Sequence, residues 1–336
     1  MEKRRGCLWW SLRIIGAIVL LFIVLGAVGC IYESRGSAAE REKYPPPGTL
    51  VEVDGRMMHI HCEGSGSPTV VLDAGQGGWS VSWSEVMPAV SQITQTCAYD
   101  RAGYGWSDPA NDGRTPQEIA DDVIMLLDAA EIDGPIILGG FSYTGLSTRL
   151  AAAQNPDLIK GMLLVDPATE FDNEISGPEL LQQQQSAVGI FQFFGLMARM
   201  GVVRLLDPEE MAPSAPFIPE NALEPEIYYS FVAEPAWWET STKEFVNRLN
   251  DDVLQDIRTN GQIPDIPLVI IGAESVSEDE SEFVELSTEH LAALETLAAQ
   301  SSQGQYILAD NSTHEVPRDR PDIIIEALTN LVEQTK

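Results

Sequence analysis

Apolar positions in this chain change their period along its length, and the changes mark its elements. Residues 14–32, "IIGAIVLLFIVLGAVGCIY", form a run of 19 residues without a charge. A helix of that length crosses the hydrocarbon layer of a bilayer, about 30 Å thick. From residue 49 short apolar or alternating runs follow, at 49–53, 56–62, 69–73, 95–99, 135–139, 161–165, 267–271 and 305–309. Their length and β-branched content predict strands. Helical spacing falls near 82–92, 116–130, 143–154, 242–258, 283–299 and 321–334. Asp54-Gly55 between the first two runs is a hairpin signal. The later strands alternate with helices, which predicts an α/β fold with a mostly parallel eight-stranded sheet and right-handed crossovers. Residues 168–240 break the rhythm with "SAVGIFQFFGLMARMGVVRLL" (186–206), Pro-rich turns and "YYSFVAEPAWW" (228–238). The expectation is a helical insertion between strands six and seven that caps a cleft with an apolar wall; extra packing around the core is the plainer alternative.

Charge changes the picture at the N-terminus. Lys3, Arg4, Arg5 and Arg13 oppose Glu2 alone ahead of the apolar run, a local +3 in a chain of net −31. The remaining −34 disfavours phosphate backbones, so no nucleic-acid partner is expected. Basic residues before the span and mixed charges after it predict a single-pass signal-anchor, N-terminus cytoplasmic and body outside the cytoplasm. The expected division is a basic N-terminus (1–13), the anchor (14–32), a Pro-rich linker (33–48), a core (49–167 and 241–336) and the cap (168–240). Ala27-Val28-Gly29 also suits a signal-peptidase site and Cys30 an acylation site; all three readings export the body. Cys62 and Cys97 remain in the body, as a disulfide or as two buried thiols.

Three segments carry candidate chemistry. In "LGGFSYTGL" (138–146) a strand runs into Ser142 and a helix follows at once. That context suits a nucleophile elbow, although Thr144 stands where Gly-x-Ser-x-Gly ends in glycine. "DAGQGG" (73–78) ends another strand in a flexible loop; the backbone N–H groups of Gln76 and Tyr143 are the candidate oxyanion hole. His314 follows the last strand, positioned to take a proton from Ser142. The other three histidines compete weakly: His59 and His61 lack a third metal ligand, and His290 reads as surface.

These motifs, with "YDRAGYGWSD" (99–108), "GMLLVDPA" (161–168) and "STHEVPRDRPDIIIEAL" (312–328), resemble the α/β-hydrolase superfamily, its lipase/esterase-like branch, over about residues 48–334. In particular the chain resembles membrane-tethered bacterial hydrolases. The resemblance implies a serine hydrolase that cleaves an ester, thioester or lactone with a hydrophobic acyl part, without metal or organic cofactor. It also implies that strands two and four are neighbours, pairing Cys62 with Cys97. The family's acid after strand seven is missing, since Ser275 occupies its place in Gly-Ala-Glu-Ser (272–275). Asp166 at the end of strand six is the preferred acid; Glu274 and the acidic stretch Glu278-Asp279-Glu280 are alternatives. A proline-type aminopeptidase with Glu170, Glu174 or Glu239 holding the substrate amine stays open. So does a non-catalytic binding protein, which Thr144 and Ser275 favour.

Overall fold

Residues 2–212, 222–274 and 288–336 are described by a computed structural model of the chain. Helix α1 (Glu2–Lys43) contains the apolar run and is the only helix, among the described residues, long and apolar enough to cross a membrane. Its large apolar side chains from Ile14 to Val28 are exposed. Strands β1 (Thr49–Val53) and β2 (Arg56–Glu63) form an antiparallel hairpin. Asp54 and Gly55 both take positive φ, 48° and 76°, as its two-residue turn requires.

Next come β3 (Thr69–Asp73), a 3₁₀ turn (Ser80–Trp83), α2 (Met87–Val90) and β4 (Thr96–Tyr99). The chain continues through α3 (Pro116–Ala129), β5 (Ile136–Phe141), α4 (Thr144–Gln154) and β6 (Ile159–Val165). A helical series follows: α5 (Asp172–Arg199, kinked at Gly177), α6 (Val202–Leu206), α7 (Pro208–Met211), α8 (Pro225–Val232), α9 (Pro235–Arg248) and α10 (Asp251–Asn260). The fold closes with β7 (Leu268–Ala273), α11 (Thr288–Ala298), β8 (Gly304–Ala309), α12 (Val316–Asp319) and α13 (Pro321–Thr335).

The eight strands form one sheet in the order β1-β2-β4-β3-β5-β6-β7-β8, antiparallel only where β2 pairs with β1 and β4. Side chains alternate between its faces. Val71, Leu138, Leu164 and Ile270 pack with α3, α4 and α11 on one side. Val70, Leu72, Ile137, Leu163 and Ile271 pack with α2 and α13 on the other. A third, aromatic cluster joins Trp79, Tyr104 and Trp106 of the core to Phe191, Tyr228, Trp237 and Trp238 of the helical series. Cys62 and Cys97 face each other across β2 and β4 and are joined by a disulfide.

Three expectations are corrected. Residues 33–43 are not linker but the last turns of α1, held by ion pairs to the body. The helix expected over 82–92 shrinks to a 3₁₀ turn and one α-turn with Pro88 near its start, since proline suits only the first turn of a helix. The helix expected over 242–258 is two helices: Asn250 is extended and its side chain caps α10 through Asp252 N at 3.0 Å. The boundary drawn between 240 and 241 therefore falls inside α9.

Candidate active site

β5 delivers Ser142 into a sharp reversal. Its φ of 55° is left-handed, a strained setting for a non-glycine residue, and its neighbours hold it there. Ser142 N donates to Val165 O at 2.9 Å, while Ser142 O accepts from Ala168 N at 2.9 Å and Gly145 N at 3.0 Å. Space is short on every side. A Cβ added at Gly75 would lie 3.1 Å from the Ser142 Cβ, and one at Gly140 2.8 Å from Thr144 O. Gly145 abuts Pro167 more closely still.

Thr144 is not merely tolerated there. Its buried Oγ1 accepts from Phe141 N at 3.1 Å. The carbonyl oxygens of Phe141 (3.0 Å), Ala74 (3.1 Å) and Asp73 (3.3 Å) surround its single proton. The hydroxyl thus links the elbow to the end of β3, a job that glycine has no atom to do.

His314 lies in the loop after β8. Its Nε2 is 2.8 Å from Ser142 Oγ and its Nδ1 2.6 Å from Asp166 Oδ2. Asp166 is fully buried at the end of β6, and its other oxygen accepts from Ala273 N at 3.1 Å. A carboxylate accepts only, so Nδ1 carries the proton and Nε2 is left to accept from the serine hydroxyl. Burial pushes the imidazole's pKa down, but the hydrogen bond and charge of Asp166 outweigh it and leave the pKa raised above the ordinary value. Thr313 steadies the loop by donating to Asp319 Oδ2 through its backbone N (2.9 Å) and its hydroxyl (2.6 Å).

The second acid candidate lies elsewhere. Glu274 is exposed, and its carboxylate accepts from Asn311 N at 2.7 Å. Ser275 and Glu278-Asp279-Glu280 lie outside the described residues. His290 corrects the surface reading: it is buried, 4.0 Å from Asp166 Oδ1 and 3.7 Å from Asp172 Oδ1. An acidic helix with mixed apolar spacing gave no signal of which side faces the sheet.

The 74–78 loop is fixed by a network that sequence reasoning missed. Buried Arg101 donates from Nη1 to Ala74 O (2.5 Å) and Asp73 Oδ1 (2.7 Å), and from Nη2 to Gly75 O (2.8 Å). It also chelates Glu244 of α9 at 2.9 and 3.1 Å. Gly77 O accepts from Trp237 Nε1 (2.8 Å) and the Tyr228 hydroxyl (3.1 Å). Carbonyls are thereby committed to the core and to the helical series. The N–H groups of Gln76 and Tyr143 have no intramolecular partner among the described residues. The arginine lies within "YDRAGYGWSD", a noted motif, but its partner Glu244 is 143 residues away. A small cleft of about 50 Å³ opens here, lined by Gly75, Gln76, Phe141, Leu223, Tyr228 and Pro317 among others.

A family model described as the alpha/beta hydrolase fold matches residues 68–190. The enol-lactonase from Burkholderia xenovorans LB400 superposes with a TM-score of 0.59 at 19% identity, over 85% of this chain and 100% of its own. This chain has the α/β-hydrolase fold. Among curated relatives, the uncharacterized YqjL of Bacillus subtilis is 35% identical over 34% of the chain and 46% of its own length. The uncharacterized YbdG of the same organism is 24% identical over 94% and 95%. The chain spans less than half the length of the curated relatives it matches at 35% identity or more.

The acidic residues considered for holding a substrate amine are all engaged by arginines. Glu170 is chelated by Arg149; although burial pushes its pKa up, the arginine's hydrogen bond and charge prevail and hold it below the usual range. Glu174 meets Arg258 at 2.5 Å and Glu239 meets Arg199 at 2.7 Å. His59 is likewise committed: Nδ1 lies 3.0 Å from Asp100 Oδ2, and Nε2 accepts from Gly48 N at 3.1 Å.

Proposed function

We propose that this chain is a membrane-tethered serine hydrolase that cleaves a carboxylic ester, thioester or lactone with a hydrophobic acyl part. One observation carries the reading: an unbroken hydrogen-bonded path from Ser142 Oγ through His314 to the buried Asp166 carboxylate, with spans of 2.8 and 2.6 Å. Ser142 Oγ attacks the acyl carbon while its proton passes to His314 Nε2. Asp166 holds the tautomer and stabilises the imidazolium. The N–H groups of Gln76 and Tyr143 receive the negative charge that develops on the carbonyl oxygen. The C–O or C–S bond then breaks, and His314 returns the proton to the leaving group. Water, deprotonated by the same histidine, attacks the acyl-serine; the acyl C–Oγ bond breaks, His314 returns the proton to Ser142 Oγ, and the acid is freed.

Ser142 at the elbow separates this reading from chemistries that begin with an aspartate nucleophile. The apolar wall supplied by α5, α8 and α9 supports a hydrophobic acyl part, and arginine pairing of Glu170, Glu174 and Glu239 argues against an amine-binding aminopeptidase. Residues 14–32 are read as the anchor, with the N-terminus cytoplasmic and the body outside. The test is hydrolysis of p-nitrophenyl esters of increasing acyl length by the full-length chain and its Ser142→Ala variant. The expected result is turnover that the variant lowers by at least about 10⁴-fold. Equal turnover in both proteins would refute the assignment.

A further inference from the structure

The apolar span and the body meet at one place. Gly29 of α1 packs against the Met200 carbonyl, and the Tyr32 ring packs against Gly201. Arg204 of α6 chelates Glu33 at 2.8 and 3.0 Å and pairs with Glu40; Arg41 chelates Glu234 at 2.8 and 3.1 Å. The junction of α5 and α6 is therefore level with the last residues of the span. The body sits at the span's C-terminal end, and the apolar side chains from Ile14 to Val28 stand clear of it.

Beside that junction the body is unusually apolar. Outside α1, the four most exposed large hydrophobic side chains among the described residues are Leu205 (73%), Phe193 (56%), Leu196 (53%) and Leu206 (53%). Ile190 joins them, and the spacing 190, 193, 196 sets three on one face of α5. Charge marks the same segment independently. The chain has 51 acidic residues, yet none lies between Glu179 and Asp207, where the only charges are Arg199 and Arg204.

We infer that the α5–α6 face is a second contact with the bilayer, in which Ile190, Phe193, Leu196, Leu205 and Leu206 enter the interfacial layer of the leaflet where α1 emerges. The inference rests on reading residues 14–32 as a membrane anchor. Surface helices of this kind bury one apolar face at the headgroup boundary, and a lone weak contact would not hold a protein there. Here the anchor makes insertion intramolecular, so a modest apolar area suffices. The lack of carboxylates within this segment spares the contact the repulsion that the rest of this acidic body would meet at anionic headgroups, and Glu239 of α9, the carboxylate that reaches it, is paired with Arg199 at 2.7 Å.

The full-length protein in phosphatidylcholine vesicles carrying an acyl-chain diazirine gives a direct test, with lipid adducts mapped by peptide mass spectrometry. The expected result is adducts both within 14–28 and within 186–206. A Phe193→Glu/Leu205→Glu/Leu206→Glu variant changes only exposed positions; it should keep the first set and lose the second at least tenfold. Adducts within 14–28 alone would overturn the proposal, as would 186–206 adducts that the variant leaves unchanged. With p-benzoylphenylalanine in place of Phe193, photo-crosslinking to a second copy of the chain instead of to lipid would also overturn it. Adducts at neither segment would instead remove the anchor reading, and this contact with it.

Discussion

Thr144 shows how one residue can break a sequence motif and still serve the site. Its hydroxyl gives the buried Phe141 N–H an acceptor and ties the elbow to the end of β3. Thr144→Val keeps the shape but removes the hydroxyl's bonds across the elbow, so equilibrium urea unfolding should show a loss of about 0.5–1.5 kcal/mol. Asp166 makes a sharper prediction. Asp166→Asn should lower kcat by about 10⁴-fold through the wrong imidazole tautomer, whereas Glu274→Gln, whose contact is with Asn311 N, should stay near wild type. The pH profile gives the sign. In the proposed mechanism His314 accepts a proton only when neutral, and Asp166 favours its charged form, so activity should fall as pH drops through a value above the ordinary 6.5 of histidine. In Asp166→Asn that acid limb should move to lower pH. Ser142 and His314 were legible in the sequence because a strand-turn-helix and a loop after the last strand place them. The choice between Asp166 and Glu274 was not, because it depends on which of two strand ends faces the imidazole.

At the level of elements, apolar runs located all eight strands to within about two residues: the central strands β3 to β7 are almost wholly buried, and the hairpin turn and alternation mark the more exposed β1, β2 and β8. Helices under tertiary control were harder to read. The polar end of α1 looked like linker because isolated it has nothing to pack on; its order comes from Arg204 and Glu234, more than 160 residues away. Glu33 and Arg204 are both nearly buried, with 5% and 8% of their side chains exposed. Removing one partner strands the other's charge, at a cost of about 3–5 kcal/mol. Arg204→Ala should therefore release residues 33–43 from the body, read as faster amide hydrogen exchange there and unchanged exchange in β3–β6. Unchanged protection of 33–43 would show that the ion pairs do not hold the helix.

Across the whole molecule the α/β core, the helical series and the apolar span form a single line of contacts. Arg101 and Glu244 tie the 74–78 loop to α9, the aromatic cluster ties α9 and α8 to α5, and α6 carries the junction to α1. The proposed acid, base and nucleophile are set by the ends of the sheet, and the opening above them by helices beside the span. The central claim of the account is that Ser142 is the atom that becomes acylated, activated by His314. The most direct measurement is intact-protein and peptide mass spectrometry after incubation with a fluorophosphonate. The account predicts one adduct, on Ser142, absent in Ser142→Ala and formed far more slowly in His314→Ala. An unmodified wild-type protein, or the same adduct persisting in Ser142→Ala, would contradict it.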